Sequence, residues 1–128
     1  MTLAAWWCHL SRYPDFRRWP EADFKRLHAR HAFHISLIVV PGMLLQGLGS
    51  VAFHLTNTNP SLMILNWILL AASIGPTFFV TAPIHGRLSK GKDMDLIDRL
   101  LSTNLPRTIA WTLHFVLAIG WLVMASPA

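Results

Sequence analysis

The distribution of charged residues constrains this chain more than any other feature of its sequence. Although the 128 residues include 11 basic and 6 acidic ones, none of them lies in residues 31–86 or 108–128. A run of 56 residues without charge is too long for one buried helix of a water-soluble domain, whereas a bilayer crossing takes about 20 apolar residues. The run therefore predicts two membrane crossings joined by a turn, and the last 21 residues predict a third.

Prolines and turn-forming residues set the expected bounds of these crossings. Pro20 suits the first position of a helix, and we expect that helix to run along the membrane surface and continue into the first crossing. Pro41, Pro76 and Pro83 fall inside the first two crossings. Interior prolines are tolerated in membrane helices where neighbouring helices satisfy the freed carbonyl groups, so the sequence predicts a packed bundle. The three crossings are predicted at residues 32–55, 62–84 and 108–125, with the sequence TNTNPS as the first turn.

The two charged stretches flank the crossings. Residues 1–31 are interpreted as an interfacial cytoplasmic segment, in which residues 2–10 either lie flat on the membrane or form a shortened crossing. Residues 86–107 are predicted to be a cytoplasmic connection with a short amphipathic helix on the membrane surface, because their apolar residues share one helical face. The predicted fold class is all-α. It is an integral membrane helix bundle with three transmembrane helices, an N-terminal interfacial segment and a surface helix, in one domain over residues 1–128.

Basic residues predict the orientation of the chain in the membrane. They precede the first crossing and occur in the second connection, but not in the first connection or the C-terminal tail. Because cytoplasmic loops are enriched in Lys and Arg, we expect a bacterial inner-membrane protein with a cytoplasmic N-terminus and a periplasmic C-terminus. The net charge is +5. Basic residues beside apolar crossings typically set the orientation in the membrane, so no nucleic-acid partner is expected. Anionic lipids are the expected partners of a basic run that comprises Arg17, Arg18, Lys25, Arg26 and Arg30.

The seven histidines are the most informative polar residues. Asn104 and Arg107 lie at the cytoplasmic start of the third crossing and complete a predicted His/Asn/Arg cluster with histidines on the same side. Imidazole binds divalent metals and shuttles protons, so this cluster is a candidate site for metal binding or proton transfer. Its candidate catalytic residues are His85, Asn104 and Arg107. Hydrogen bonding of these residues to one another or to lipid phosphate is the structural alternative. Four histidines lie on the cytoplasmic side and are candidate metal ligands: His28, His31, His34 and His85.

Two further histidines lie within or near the ends of the crossings. His114 is two turns inside the third crossing, and an ionisable residue at that depth is a functional hypothesis by default. Three roles are open for His114. It forms a hydrogen bond to a backbone carbonyl freed by a proline, it ligates a haem iron or a chlorophyll magnesium, or it binds a substrate or transfers a proton. His54, near the outer end of the first crossing, is a weaker candidate ligand of haem or pigment. Gln46 and Asn66 are predicted to form hydrogen bonds between helices.

Two long stretches of the chain resemble a known group of membrane proteins. YPDFRRWPEADFKRLHARHAFHISLIVVPGML, which starts at Tyr13, combines YP, an F-x-x-x-HxxH run and a mid-span proline. TAPIHGRLSKGKDMDLIDRLLSTNLPRTIAW, which ends at Trp111, combines a proline and a histidine before RL with TN-x-x-RT-x-x-W. Together they resemble small, mostly uncharacterised bacterial multi-helix membrane proteins of the anthrone-oxygenase-like group. The resemblance implies site positions at His28, His31, His85, Asn104 and Arg107. Members usually have a full first crossing ahead of YP, where this chain has only residues 2–10.

Three functions fit these observations. Small size, glycine-rich helices and the lack of a P-loop, a CxxCH haem attachment site or paired intramembrane carboxylates favour an accessory subunit of a respiratory or photosynthetic complex. Its partners would be other membrane protein subunits. The resemblance implies instead a small membrane oxygenase-like enzyme that acts on a hydrophobic aromatic substrate through the His/Asn/Arg cluster. A third hypothesis is a haem- or pigment-binding protein that uses His114 or His54, although the sequence itself requires no cofactor.

Overall fold

The long uncharged runs fold into long helices. A computed structural model describes residues 1–125, and all regular secondary structure within them is helical. Three helices are long and apolar enough to cross a membrane, namely Glu21–Thr56, Pro60–Leu88 and Met94–Met124. The predicted all-α membrane bundle is therefore confirmed. The end of the predicted periplasmic tail, residues 126–128, lies outside the described residues.

The described residues contain six α-helices and two π-helical turns. The two π-helical turns join α-helices without breaking them, so each helical segment is continuous. In chain order the elements are α1 (Thr2–Trp7), a π-turn (Cys8–Arg12), α2 (Tyr13–Arg18), α3 (Glu21–Thr56), α4 (Pro60–Pro76), a π-turn (Thr77–Thr81), α5 (Ala82–Leu88) and α6 (Met94–Ala125).

The first two long helices follow the predicted pattern. α3 starts directly after Pro20 and runs for 36 residues through the predicted surface stretch and the first crossing. The turn after it is shorter than predicted, because Pro60 is already helical and only residues 57–59 lie between the helices. Asn59 fixes this turn, since its side-chain oxygen accepts hydrogen bonds from the backbone N–H of Ser61 at 3.0 Å and of Leu62 at 3.3 Å.

The third long helix differs from the prediction. The separate surface helix predicted within residues 86–107 is absent as such, because residues 94–107 form the first half of α6, and Pro106 lies inside the helix. A proline removes the hydrogen bond to the carbonyl four residues earlier, which here belongs to Ser102. Both Pro106 and Ser102 lie on the exposed side of α6, so the interruption does not disturb the packed face. The predicted connection over residues 86–107 shrinks to residues 89–93.

The apolar face of residues 94–107 packs on protein instead of on lipid. Leu96, Ile97 and Leu100 are buried in one core with Phe16 and Phe24. This core joins α2, α3, α5 and α6. It lies at the end of the bundle that carries the charged residues of positions 12–30 and 87–99, which we call the charged end. The periodicity that predicted a surface helix is therefore real, but the surface that it covers is the N-terminal segment of the same chain.

The N-terminal segment, residues 2–18, runs antiparallel to α6. Arg17 pairs with Asp98 at 2.5 Å near one end. Near the other end the Thr2 hydroxyl donates to the backbone oxygen of Trp111 at 3.3 Å. Residues 2–10 thus pack along α6, and Thr2 lies beside the start of the predicted third crossing.

Within the crossings, polar residues face inwards and apolar residues face outwards. Ser50, Asn66 and Ser73 are buried between helices, whereas Leu48 and Phe79 are more than two-thirds exposed. Outward apolar surface on this scale is typical of helices that contact lipid. The buried polar residues are therefore the candidates for a functional site inside the bundle.

Candidate functional site

A pocket of about 510 Å³ separates the N-terminal segment from α3. α1 packs on α6 and α3 packs on α4, so the pocket lies between the two outer helices of the bundle. Small-molecule sites in proteins range from about 300 to 1,000 Å³, and this pocket falls within that range. Its walls are mostly apolar and include Ala5, Ile35, Val39, Met43, Ile74 and Phe78.

One end of the pocket is polar. Four side chains with ionisable groups line it, and they come from three different parts of the fold. Cys8 and Tyr13 belong to the N-terminal segment, His85 to α5 and Arg107 to α6. The fold therefore brings residues that are up to 99 positions apart to one end of an apolar pocket.

His85 is held by a second histidine. The Nε2 atom of His28 lies 2.9 Å from the Nδ1 atom of His85, and the two rings are stacked with centroids 5.1 Å apart. His31 lies beside them with its ring centroid 6.0 Å from that of His85. Because His28 occupies Nδ1 of His85, the Nε2 atom of His85 is the nitrogen left for the pocket. Phe16 packs against all three rings at 5.1 to 6.2 Å between centroids and fixes their positions.

Arg107 is buried among neutral acceptors. Its guanidinium donates hydrogen bonds to the hydroxyl of Thr77 at 3.2 Å, to the hydroxyl of Thr81 at 3.1 Å and to the side-chain oxygen of Asn104. Asn104 is itself fixed by a 3.2 Å hydrogen bond to Thr108. The predicted pair of Asn104 and Arg107 thus exists, and Asn104 acts as a support for Arg107.

Tyr13 and Cys8 are neutral donors at the polar end. Burial raises the pKa of Tyr13 to about 12, although the nearby charge of Arg107 opposes this shift. Burial likewise raises the pKa of the Cys8 thiol to about 11, against the charges of Arg107 and Arg12. At neutral pH both groups keep their protons. Cys8 is therefore a poor nucleophile, because the thiolate is the reactive form.

The four candidate metal ligands do not come together. His28, His31 and His85 form one cluster, but His34 is exposed and its Nδ1 contacts the backbone oxygen of Arg30 at 2.6 Å. Within residues 1–125 no group of three or more His, Cys, Asp or Glu side chains has the arrangement to hold a metal ion. The metal assignment of these histidines gains no support from the geometry.

His114 forms the centre of a second polar cluster. Its Nδ1 contacts Gln46, and its Nε2 lies 2.9 Å from the Asn66 oxygen and 3.2 Å from the Ser50 hydroxyl. Gln46 also donates to Ser73 at 3.2 Å. The predicted interhelical hydrogen bonds of Gln46 and Asn66 are therefore present, and Asn66 also donates to the backbone oxygen of Ser50 at 3.3 Å. The ring nitrogens of His114 contact side chains and not a carbonyl freed by a proline.

This geometry bears on the proposed haem or chlorophyll ligands. An axial ligand needs one free imidazole nitrogen, and both nitrogens of His114 already contact protein side chains. His114 does not fit that role. His54 is half-buried and its Nδ1 accepts a hydrogen bond from the Trp67 indole at 3.2 Å, at the end of the bundle far from the pocket.

The basic run lies on the outside of the charged end. Arg17 pairs with Asp98, and Arg26 pairs with Asp23 at 2.9 Å. All five members of the run are exposed, as contact with anionic lipid head groups requires: Arg17, Arg18, Lys25, Arg26 and Arg30.

Sequence reasoning found some of the site residues and missed others. His85 and Arg107 stand out in the sequence because each is ionisable and next to an apolar run. Tyr13 and Cys8 carry no such signal, since an interfacial tyrosine and a lone cysteine are common. Only the antiparallel packing of the N-terminal segment on α6 places them in the pocket.

No protein-family model, curated protein or solved structure matches this chain.

Proposed function

We propose that this protein binds a lipophilic aromatic compound in the pocket between α1 and α3 and oxidises it with molecular oxygen, with His85 as the base. One observation carries the proposal. His85 and Arg107, on different helices, meet at the polar end of a pocket that is otherwise apolar. A membrane bundle of this size has no structural need for two such residues at one cavity, because each is costly to remove from water.

The chemistry follows from the residues at the polar end. Nε2 of His85 takes a proton from an acidic C–H of the substrate, and the resulting enolate oxygen is stabilised by the Arg107 charge and the Tyr13 hydroxyl. The enolate reacts with O2 to give a hydroperoxide, which loses water. The balanced change is one CH2 group plus one O2 to one C=O group plus one water. His28 supports the base, since its contact with Nδ1 orients the His85 ring.

The resemblance supplies the substrate class. Its five implied positions lie in or beside this site: His85 and Arg107 line the pocket, and His28 and Asn104 contact them directly. His31 is adjacent to His85. A polycyclic aromatic ketone of the anthrone type is therefore the substrate to test first.

The experiment uses the purified full chain in a mild detergent with anthrone in aerated buffer. Formation of anthraquinone and uptake of O2 are recorded against the protein-free reaction, because anthrone also oxidises spontaneously. We expect one O2 per anthraquinone and a rate above the protein-free rate. His85→Gln should lower the added rate about 100-fold, within the range that a general base supplies.

His54→Gln is the matched control, because His54 lies away from the pocket and should leave the rate unchanged. The proposal fails if the wild-type chain adds nothing to the spontaneous rate, or if His85→Gln is as active as the wild type. Circular dichroism of both variants establishes that each is folded.

The membrane in which the protein lies and its assembly with other subunits are also proposals. The basic residues at the charged end support a bacterial inner-membrane protein with its N-terminus in the cytoplasm, so the polar end of the pocket would open near the cytoplasmic surface. An accessory-subunit role receives no specific support, since the exposed apolar faces suit lipid tails as well as partner helices. Comigration with larger complexes in blue-native electrophoresis of native membranes would argue for that role.

A further inference from the structure

We propose that the pocket favours a ligand with a negatively charged oxygen paired to Arg107 and an apolar body along α3, which is the charge state that the enolate of the proposed reaction also reaches. The inference rests on the site of the proposed function but concerns binding alone. It holds whether or not the bound molecule is oxidised.

Arg107 is a buried cation without a counter-ion. The residue is only 8% exposed, and its guanidinium donates to neutral oxygens of threonine and asparagine. The Nε–H group has no acceptor at all among the described residues. A buried charge that is not paired is strongly unfavourable, so the arrangement favours a ligand that brings the missing charge.

No acidic side chain supplies it within residues 1–125. All six acidic residues lie within the part of the chain that the structure describes, and the two ion pairs found there join Arg17 to Asp98 and Arg26 to Asp23. The ionisable neighbours of Arg107 at the polar end are Cys8, Tyr13 and His85. The first two keep their protons at neutral pH, and histidine is neutral or positive, so none of them neutralises the guanidinium.

The depth of Arg107 separates it from the other basic residues. It follows Arg99, the preceding charged residue of α6, by eight positions, which is roughly 12 Å along the helix. Arg99 is exposed at the charged end, whereas Arg107 lines a cavity with apolar walls. Weakly hydrated guanidinium suits such an environment and pairs well with carboxylate or phosphate oxygens.

The ligand is therefore an amphiphile with one anionic oxygen group and an apolar body. Two sources share this chemistry: a free lipophilic acid, such as an aromatic carboxylate or phenolate, and a phospholipid whose phosphate reaches the polar end. The test distinguishes them.

The experiment compares two probes of equal size that differ in charge. Binding of 2-naphthoate and of 2-naphthamide to the delipidated full chain in an uncharged maltoside detergent is measured by titration calorimetry. We expect the wild type to bind naphthoate about 30-fold or more tightly than naphthamide, a ratio in line with the loss of one partner from a buried charge pair. Arg107→Gln should bind the two probes equally, and Arg107→Lys should keep a preference for naphthoate.

Arg18→Gln is the matched control, because Arg18 is exposed and its loss should leave the preference intact. Displacement of naphthoate by a short-chain phosphatidylglycerol but not by the diacylglycerol with the same chains, which lacks the phosphate, would assign the anion to lipid, and failure of both to displace it would assign it to a free acid. Either result supports an anion site.

Equal affinity of the wild type for both probes would overturn the inference, as would a preference that survives in Arg107→Gln. If Arg107→Gln does not fold, the wild-type comparison and Arg107→Lys still decide the matter. Anthrone turnover without a preference for the anionic probe would refute this inference alone, and a preference without turnover would refute only the oxidation.

Discussion

At the scale of single residues, the interior of the bundle divides its polar side chains into two kinds. Around His114 side chains from two other helices contact both ring nitrogens, so the cluster joins three helices and leaves no nitrogen of that ring for a ligand, although the buried Oε1 of Gln46 has no hydrogen-bond partner among the described residues. Around Arg107 the neighbours are hydrogen-bond acceptors without charge, so the guanidinium has no counter-ion among residues 1–125. The first cluster is explained by structure, whereas the second calls for a ligand.

Tyr13 allows the polar end of the pocket to be observed directly. It is the chain's only tyrosine, so a spectrophotometric titration of tyrosinate reports this residue without interference. Because burial raises its pKa to about 12, we expect the folded protein to titrate near pH 12 and the denatured chain near the ordinary value of about 10. Tyr13→Phe should abolish the signal.

The same shift has a consequence for stability. A pKa that is higher in the folded state means that the unfolded chain loses this proton first, so Tyr13 stabilises the fold below about pH 10 and destabilises it increasingly up to about pH 12. Folded protein that titrates near pH 10 would contradict the buried position of the hydroxyl.

The residues of the site differ in how far sequence could predict them. His85 and Arg107 are recognisable because an ionisable group beside an apolar run is rare and costly. Tyr13 and Cys8 depend on a tertiary contact, the packing of residues 2–18 on α6, which no local pattern encodes. The pairing of His28 with His85 across 57 positions is likewise a tertiary contact that spacing along one helix does not encode.

At the scale of elements, α6 shows where local rules give way to packing. Proline predicts a break, yet Met94–Ala125 is continuous, since Pro106 lies on the exposed side and the buried side stays intact. Amphipathic periodicity was correct as a pattern, but periodicity alone does not tell whether an apolar face meets lipid or protein. The N-terminal segment decides this, because it supplies Phe16 to the same core.

Replacement of two leucines on α6 by alanine tests whether residues 94–107 pack on the N-terminal segment. Leu100 is fully buried in the core at the charged end, whereas Leu105 is 39% exposed. Leu100→Ala should lower the free energy of unfolding by about 2–5 kcal/mol, as for a buried leucine that leaves a cavity. Leu105→Ala should change it little, and both variants have the same effect on helix propensity.

The measurement is unfolding of the purified protein in mixed micelles with increasing sodium dodecyl sulfate, followed by tryptophan fluorescence. A surface helix whose apolar face meets lipid would give similar small changes for both leucines. That result would contradict the packing of residues 94–107 on the N-terminal segment.

At the scale of the whole molecule, the fold is a bundle with an apolar outside and polar contacts inside its crossings. The number of crossings followed directly from the positions of the charged residues, because removing charge from water is the largest local cost that a chain faces. How the helices pack, and therefore where the pocket lies, depends on contacts between distant side chains and was not available from charge alone.

The orientation of this bundle decides from which side the polar end of the pocket is reached. The first turn, residues 57–59, carries no charge, whereas the connection at residues 89–93 carries three. Thr58 and Ser89 are both exposed in these two turns. Each can be replaced by cysteine in a Cys8→Ala background, which removes the chain's only native thiol.

A membrane-impermeant maleimide added to intact spheroplasts should label the Thr58→Cys variant and leave the Ser89→Cys variant unlabelled until the cells are lysed, because the basic connection is expected in the cytoplasm. The opposite pattern would reverse the orientation and place the polar end of the pocket, with His85 and Arg107, near the periplasmic surface. Since α5 ends at Leu88, next to this connection, the same two variants also show from which compartment a water-soluble anion would reach Arg107.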